Sequence, residues 1–150
     1  MTDRTYIAAN AEATSALREL LGSLTDVDLA ADIGEGWTAS MALAHLAYWD
    51  AWHLARWQHA ALNGLSAPLA DAHAISDRSN DALVPTWRAL PPAAAVTLCL
   101  DAATAVDAHV ADLSDASIAD ARADGGSRWF ERAPHRWDHI EQIRRALGRA

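Results

Sequence analysis

The chain contains no lysine: its 12 basic residues are all arginine, and they are outnumbered by 20 acidic residues. The formal net charge of −8 leaves no general source for the electrostatic attraction that drives nucleic-acid binding. A single cysteine, Cys99, excludes an internal disulfide framework and fits a reducing compartment. These shortages argue against a DNA-binding protein and against a disulfide-stabilised domain.

Long apolar runs are also missing. The first ten residues, MTDRTYIAAN, are polar and lack the apolar segment of a signal peptide. No segment approaches about 20 uninterrupted apolar residues. We therefore expect a soluble, cytoplasmic protein with no membrane partner. The 150 residues, 51% of them hydrophobic, have the length of one globular domain, 1–150, with a single substantial core.

Apolar residues recur at steps of three and four, the period of a helix that is buried on one face. The first such stripe predicts a helix from Asp3 to Leu24. A second, strongly aromatic helix is expected to begin at a cap on Thr38 or Ser40 and to run to Asn63. Gly64 is its predicted stop.

The middle of the chain predicts two more helices. Residues 64–73 contain glycine and proline and are expected to form a crossover loop. A weaker helix should follow from Ala74 to Leu90, with Pro85 ending or kinking it. A more regular helix is expected to start at Pro91-Pro92, where proline suits a first helical turn.

Two further segments are predicted to be loops. Residues 25–36 are polar and contain glycines, and residues 114–128 are rich in Ser, Asp and Gly. No hairpin pattern stands out. The last helix is expected over Ala133 to Leu147. Four principal helices with long crossover loops predict an all-α fold, a four-helix bundle.

Two histidines of the last predicted helix, His135 and His139, are four residues apart. This spacing places both imidazoles on one helix face, with Cβ atoms about 5–6 Å apart, and suits chelation of one metal ion. Zinc and similar divalent ions accept neutral imidazole nitrogens, so a third ligand from another helix would complete a site with an open position. His45, on the apolar face of the second helix, is a candidate.

The other histidines are expected to be surface groups or satisfied core groups. This expectation covers His53, His59, His73 and His109. His53 and His59 share a helix with His45 but lie about 12 and 21 Å farther along its axis, too far to share its metal ion. The i,i+4 spacing of His135 and His139 can also arise by chance. An alanine-rich helical chain with seven histidines often contains such a pair without binding a metal.

Two segments, GWTASMALAHLAYWD at 36–50 and HRWDHIEQIRRAL at 135–147, resemble the DinB-like superfamily. That superfamily includes the metal-binding domain of mycothiol-dependent maleylpyruvate isomerase and related bacterial thiol S-transferases. The similarity covers nearly the whole chain. It implies a four-helix bundle in which one histidine of the second helix and two ligands of the last helix hold a divalent metal. The matching positions here are His45, His135 and His139.

The resemblance implies a metal-dependent enzyme that transfers a low-molecular-weight thiol such as mycothiol to a small electrophile, or uses the thiol to isomerise one. Zinc is the first expectation for the metal, with nickel or iron as alternatives. A coordinated thiol would be deprotonated and a coordinated water acidified to a pKa of about 7. Maleylpyruvate isomerases carry a second domain after the bundle, whereas this chain stops at Ala150, so that particular reaction is not expected.

Two other functions stay open. A metal-hydroxide hydrolase would open a reactive small molecule without a thiol, as in DinB-like self-resistance proteins. A non-enzymatic bundle would bind a metal or ligand and could form a homodimer. The sequence does not distinguish mycothiol from other thiols, and it identifies no substrate.

Candidate substrate-binding residues lie near the predicted ligands in sequence. Arg132 and Arg136 could receive carboxylates of a thiol or substrate, although a solvated helix exterior is the favoured alternative. Four tryptophans could wall an apolar pocket, with core packing as the alternative use for most of them: Trp49, Trp52, Trp129 and Trp137.

Cys99 lies on an apolar stripe and is expected to pack in the core. Catalysis would then rest on the metal and on positioning.

Overall fold

The computed structural model describes residues 2–64, 72–123 and 126–149, with the side chains of residues 72 and 73 excepted. The chain is predominantly helical, which confirms the all-α prediction in outline. The elements in order are α1 (Thr5–Ser23), α2 (Asp26–Ala30), β1 (Asp32–Gly34), β2 (Trp37–Thr38), α3 (Ala39–Asn63), α4 (Ala72–Ala89), α5 (Pro92–Ala111), α6 (Asp115–Ala123), a short 3-10 turn (Ser127–Trp129) and α7 (Ala133–Ala146).

The longer helices of the described chain pack together at the centre of the protein. α3 packs along α5, while α1 packs on both α5 and α7. α4 lies against α3. The larger core cluster includes Leu17, Leu43 and Ile140, and a second one gathers around Trp57 and Phe130. α7 is therefore held against the centre of the protein, and its inner face is close to α3.

The boundaries of α3 agree with the prediction, and the structure decides between its two candidate caps. Thr38 is the N-cap, because its Oγ1 accepts a hydrogen bond from the backbone N–H of Met41 at 3.2 Å. Ser40 lies inside the helix. Gly64 ends the helix with φ 79°, a left-handed backbone conformation that glycine adopts without strain.

The loop prediction for residues 25–36 is wrong. Thr25 and Asp28 form a capping box that starts α2. β1 and β2 then pair as a small antiparallel hairpin, with Asp32 opposite Thr38. Strands of three and two residues are too short to produce a periodic signal in the sequence. The hairpin nevertheless fixes the entry to α3, where Trp37 packs on Trp87 with ring centroids 5.4 Å apart.

The loop prediction for residues 114–128 is also wrong over Asp115–Ala123, which form α6, while residues 124 and 125 lie outside the described residues. Ser114 Oγ accepts the backbone N–H of Ser117 at 3.1 Å and caps α6. Ile118 and Ala121 of this helix are fully buried. The serine and aspartate content that suggested a loop marks the exposed face of a short helix whose inner face packs against the 3-10 turn.

α4, predicted from Ala74 to Leu90, is found at Ala72–Ala89. Pro85 lies inside it and does not end it. Pro85 is exposed, and Trp87, one half-turn later, is buried and attaches the end of α4 to the core. That tertiary contact outweighs the hydrogen bond that proline removes. Most of the predicted crossover loop, residues 65–71, lies outside the described residues, as does the side chain of His73.

One helix in the described part of the chain, α5, is long and apolar enough to span a membrane by length and composition alone, with a mean hydropathy of 1.3. Such a helix is weak evidence, since core helices of soluble proteins meet the same criterion. The buried face of α5 includes Ala103, Val106 and Val110.

Candidate metal centre and adjoining cavity

α3 and α7 bring His45, His135 and His139 together, as predicted. One ring nitrogen from each lies within 4.8 Å of the others. Nε2 of His45 and Nε2 of His135 are 3.0 Å apart. Two nitrogens that share one tetrahedral ion with bonds of about 2.0–2.1 Å lie about 3.3–3.4 Å apart, so the three rings are close enough to become ligands of one ion. No other group of three such ligands occurs in the described ranges.

Burial keeps these imidazoles neutral. It lowers the pKa of His45 to about 3 and the pKa of His135 to about 2, and it also lowers the pKa of His139. The neighbouring histidines and Arg132 add to the effect at His45 and His135. At neutral pH all three rings are therefore uncharged, which is the form of imidazole that binds a metal.

The contacts of each Nδ1 atom indicate whether the Nε2 atom of the same ring is free to bind an ion. Nδ1 of His139 faces the side-chain oxygen of Gln142 at 2.9 Å, so its proton belongs there and Nε2 is left as a ligand atom. Nδ1 of His45 is buried and makes no hydrogen bond of good geometry, although Asn80 lies close enough to favour the protonated ring. Both rings fit metal binding through Nε2.

His135 is arranged differently. Arg132 Nη2 lies 3.1 Å from His135 Nδ1, and a guanidinium can only donate, so this nitrogen accepts. The proton of the neutral ring is then on Nε2, where it can be donated to Nε2 of His45. Without a metal, this hydrogen bond connects α3 and α7. For neutral His135 to bind a metal through Nε2, its proton would have to move to Nδ1, and the Arg132 donor would have to move away from that nitrogen.

The start of α7 is fixed by a side chain from α1. The oxygen Oδ1 of Asn10 accepts the backbone N–H groups of Arg132 and Ala133, each at 2.9 Å. Its Nδ2 donates to the carbonyl of Phe130 at 2.8 Å. Asn10 is 1% exposed, so these hydrogen bonds have little competition from water. They satisfy the first turn of α7 and set the position of the two ligands that follow.

Arg132 and Arg136 are not solvated, which makes the favoured sequence interpretation wrong. Their exposed fractions are 3% and 0%. Asp50 of α3 accepts from both guanidiniums, and Asp107 of α5 accepts from Arg136 at 2.8 Å. Arg136 does not line the cavity described below, so the structure does not place it where it could bind a substrate there. Sequence reasoning missed Asp50, because nothing local marks it as the partner of residues more than 80 positions away.

A cavity of about 560 Å³ opens beside the histidine cluster. Trp49, Trp52 and Trp129 lie in its walls, together with Arg132. Trp137 does not line it; this indole is half-buried against the main core. Asn80 Oδ1 accepts the indole N–H of Trp49 at 3.0 Å and fixes that wall. His45 and His135 are also part of the lining, so an ion at the cluster would be reached through the cavity.

His53 was expected to be a surface group or a satisfied core group, and it is neither. It is 6% exposed, it lines the cavity, and its Nδ1 is buried without a hydrogen-bond partner. A signal in the sequence could have found it. His45, Trp49, His53 and Arg56 follow one another at steps of four and three residues, so one face of α3 carries them all into the cavity.

No protein-family model, curated protein or solved structure matches this chain. The DinB-like resemblance therefore remains a prediction from the two motifs.

Proposed function

We propose that the protein binds one divalent metal ion through His45, His135 and His139 and is an enzyme of small-molecule thiol chemistry. It would transfer a low-molecular-weight thiol to an electrophile, or use the thiol to isomerise one. The observation that carries the proposal is the convergence of three neutral imidazoles, two of which, His45 and His135, line a cavity. The DinB-like motifs support the same reading and, with it, a DinB-type bundle in a bacterial cytoplasm.

Three neutral nitrogen ligands suit zinc first, with nickel or iron as alternatives. A bound ion would supply Lewis-acid chemistry and lower the pKa of a thiol or water at its open position. The chain's own part is to hold the ion in place. Asn10 fixes the start of α7, and Gln142 sets the tautomer of His139.

The chain offers no thiol of its own for this chemistry. Cys99 is 1% exposed within α5, and burial raises its pKa to about 12. The reacting sulfur must therefore come from a cosubstrate. That thiol loses its proton, its sulfur bonds to the electrophilic carbon, and the leaving group departs with the electron pair of the broken bond. The indoles of Trp49 and Trp52 would hold the electrophile's apolar part and exclude water.

Metal analysis and turnover of the same untagged protein test the proposal. We expect about one divalent ion per chain, and conversion of monochlorobimane to its fluorescent thioether only when a thiol from a panel of mycothiol, bacillithiol and glutathione is present. The effective thiol should also produce a sulfur-to-cobalt charge-transfer band in cobalt-substituted protein.

Other outcomes would overturn the proposal. A thiol-independent hydrolysis of reactive electrophiles, with no spectral change on adding thiol, would make the protein a metal-hydroxide hydrolase. Full metal occupancy without turnover on any electrophile would make it a binding module. Absence of a metal after growth and reconstitution with zinc, nickel and iron would reject the centre itself.

A further inference from the structure

The cavity contains a second imidazole that the metal cluster does not use. His53 lies eight residues beyond His45 on α3, about 12 Å along the helix axis. Its Nδ1 is sealed in the wall without a partner. Its Nε2, on the opposite edge of the ring, is not sealed, and no residue of the described chain hydrogen-bonds to it. The ring therefore presents Nε2 to the cavity.

Three arginines act on His53, and one of them, Arg132, is paired with Asp50. Burial is the main cause that lowers its pKa to about 2, and Arg132, Arg128 and Arg56 lower it further. The two acidic residues of the cavity lining act elsewhere. A carboxylate oxygen of Glu131 lies 4.0 Å from the guanidinium of Arg122, a residue that does not line the cavity. The Asp138 carboxylate acts on His139, whose pKa it raises. His53 is thus a neutral imidazole in a positive environment.

The sealed Nδ1 favours one tautomer. A buried N–H without an acceptor is rarer in proteins than an under-used acceptor, so the ring proton is better placed on Nε2. Nε2 then donates a hydrogen bond into the cavity. A donor beside several guanidiniums suits an acceptor that carries negative charge.

Arg128 supplies a second donor at the same place. It is exposed, and its guanidinium has no partner within the described ranges. Its backbone is held, because its carbonyl accepts Nη1 of Arg132 at 2.9 Å. Next to it, Trp129 packs its indole under Arg56, whose guanidinium carbon is 3.7 Å from the ring centroid. Cationic donors and flat apolar walls therefore meet at this part of the cavity.

We propose that His53 and Arg128 form an oxyanion subsite, and that the cavity binds a small molecule with a carboxylate on a planar, apolar body. The carboxylate accepts from His53 Nε2 and from the Arg128 guanidinium, while the apolar body packs against the indoles of Trp52 and Trp129. This inference rests on the proposed function only in naming the substrate class of the same cavity. Binding of the carboxylate itself needs no metal.

Benzoate is a suitable probe, with benzamide as its uncharged counterpart of the same shape. Chelator-treated, full-length protein is titrated with each by calorimetry and by tryptophan fluorescence, which the cavity indoles should report. We expect saturable binding of benzoate and affinity lower by about 10- to 100-fold for benzamide, because a hydrogen bond to a charged group is lost. Equal affinity for both, or no benzoate binding, would overturn the subsite.

Two substitutions of His53 distinguish the contribution of Nε2 to benzoate binding from that of Nδ1. His53→Gln places an amide near the position of Nε2 and should keep most of the benzoate affinity. His53→Asn places the amide near Nδ1 and should weaken binding by about tenfold or more.

Arg128→Gln, on an exposed side chain that should not affect folding, should weaken benzoate binding similarly. The matched controls are His59→Gln and Arg88→Gln, both exposed and outside the cavity lining. Unchanged benzoate affinity in Arg128→Gln and His53→Asn would contradict the proposal.

The His139→Ala variant separates this inference from the metal centre. Benzoate affinity should survive in that variant although metal binding is lost. Loss of benzoate binding in folded His139→Ala would move the anion to the histidine cluster and overturn the subsite. Conversely, His53-dependent benzoate binding in a protein that takes up no metal would reject the proposed function and keep the subsite.

Discussion

Asp50 Oδ1 accepts the Nε–H of Arg132 at 2.7 Å, and both side chains are almost fully buried. The other oxygen of the same carboxylate accepts from Arg136 Nε at 3.0 Å. One acidic side chain of α3 thus holds two guanidiniums of the ligand helix region. Arg132 in turn contacts His135, so the ion-pair network and the histidine cluster share a side chain. The candidate metal site is consequently coupled to the packing of α3 against α7.

Asp50→Asn should lower the free energy of unfolding by about 3–5 kcal/mol, because it leaves two buried guanidiniums without their shared charge. Urea unfolding of metal-free protein measures this. Asp101→Asn, at an exposed position of α5, is the control and should change stability by less than about 0.5 kcal/mol. A loss below about 1 kcal/mol for Asp50→Asn would show that the network contributes little.

His45→Ala, His135→Ala and His139→Ala should each reduce metal occupancy severely, because three ligands are the minimum for a tight open site. Elemental analysis after dialysis measures the occupancy. His53→Ala, His59→Ala and His109→Ala should retain the metal, since none belongs to the cluster. Full occupancy in His45→Ala would disprove the triad, and loss in one of the second group would point to a different site.

Thr38→Ala should cost about 1 kcal/mol of stability, because it removes the side-chain acceptor for the Met41 N–H. Ser40→Ala provides a direct comparison. The Ser40 hydroxyl is buried without a partner, so its removal should be neutral or stabilising. Thermal melts of both variants would contradict the cap assignment if Ser40→Ala were the more damaging change.

Cys99 should be inert in the folded protein. Its burial and raised pKa of about 12 predict no reaction with an aromatic disulfide reagent at pH 8, and full reaction after unfolding in urea. Cys99→Ala should retain any thiol-dependent turnover. A fast native reaction, or loss of turnover in the folded variant, would make Cys99 a candidate nucleophile.

Stability of the metal-free protein should fall as the pH drops below about 6.5, partly because of His53. Its pKa is about 2 when folded and 6.5 as a free side chain, so only the unfolded chain takes up a proton in this range. The stability present above pH 6.5 is therefore lost as the pH falls. His53 alone should contribute about 2 kcal/mol of loss at pH 5.

Urea unfolding of the parent and of His53→Gln at pH 7 and pH 5 measures this contribution. The variant should lose less stability than the parent between the two pH values. His59→Gln removes an exposed imidazole from the same helix and is the control. Equal losses in the parent and in His53→Gln would mean that His53 is not held neutral by the fold.

Several features follow from local sequence. Thr38 and Gly64 delimit α3 because capping and left-handed backbone geometry depend on residues a few positions apart. The pairing of His135 with His139 on one face depends only on the helical period. Local patterns failed where the elements are short or where tertiary contacts dominate. The hairpin at Asp32–Thr38 and the passage of α4 through Pro85 are examples.

The sequence by itself therefore determined a helical protein and the four-residue spacing of two candidate ligands, because both arise from the 3.6-residue period of the α-helix. Only the tertiary structure decided which distant side chains meet. His45 lies close to the two histidines of α7. Arg132 and Arg136 are buried against Asp50, and His53 lines the cavity. Those outcomes depend on how α3, α5 and α7 pack, and the energy of burying a charge or an imidazole is set by partners that no local pattern contains.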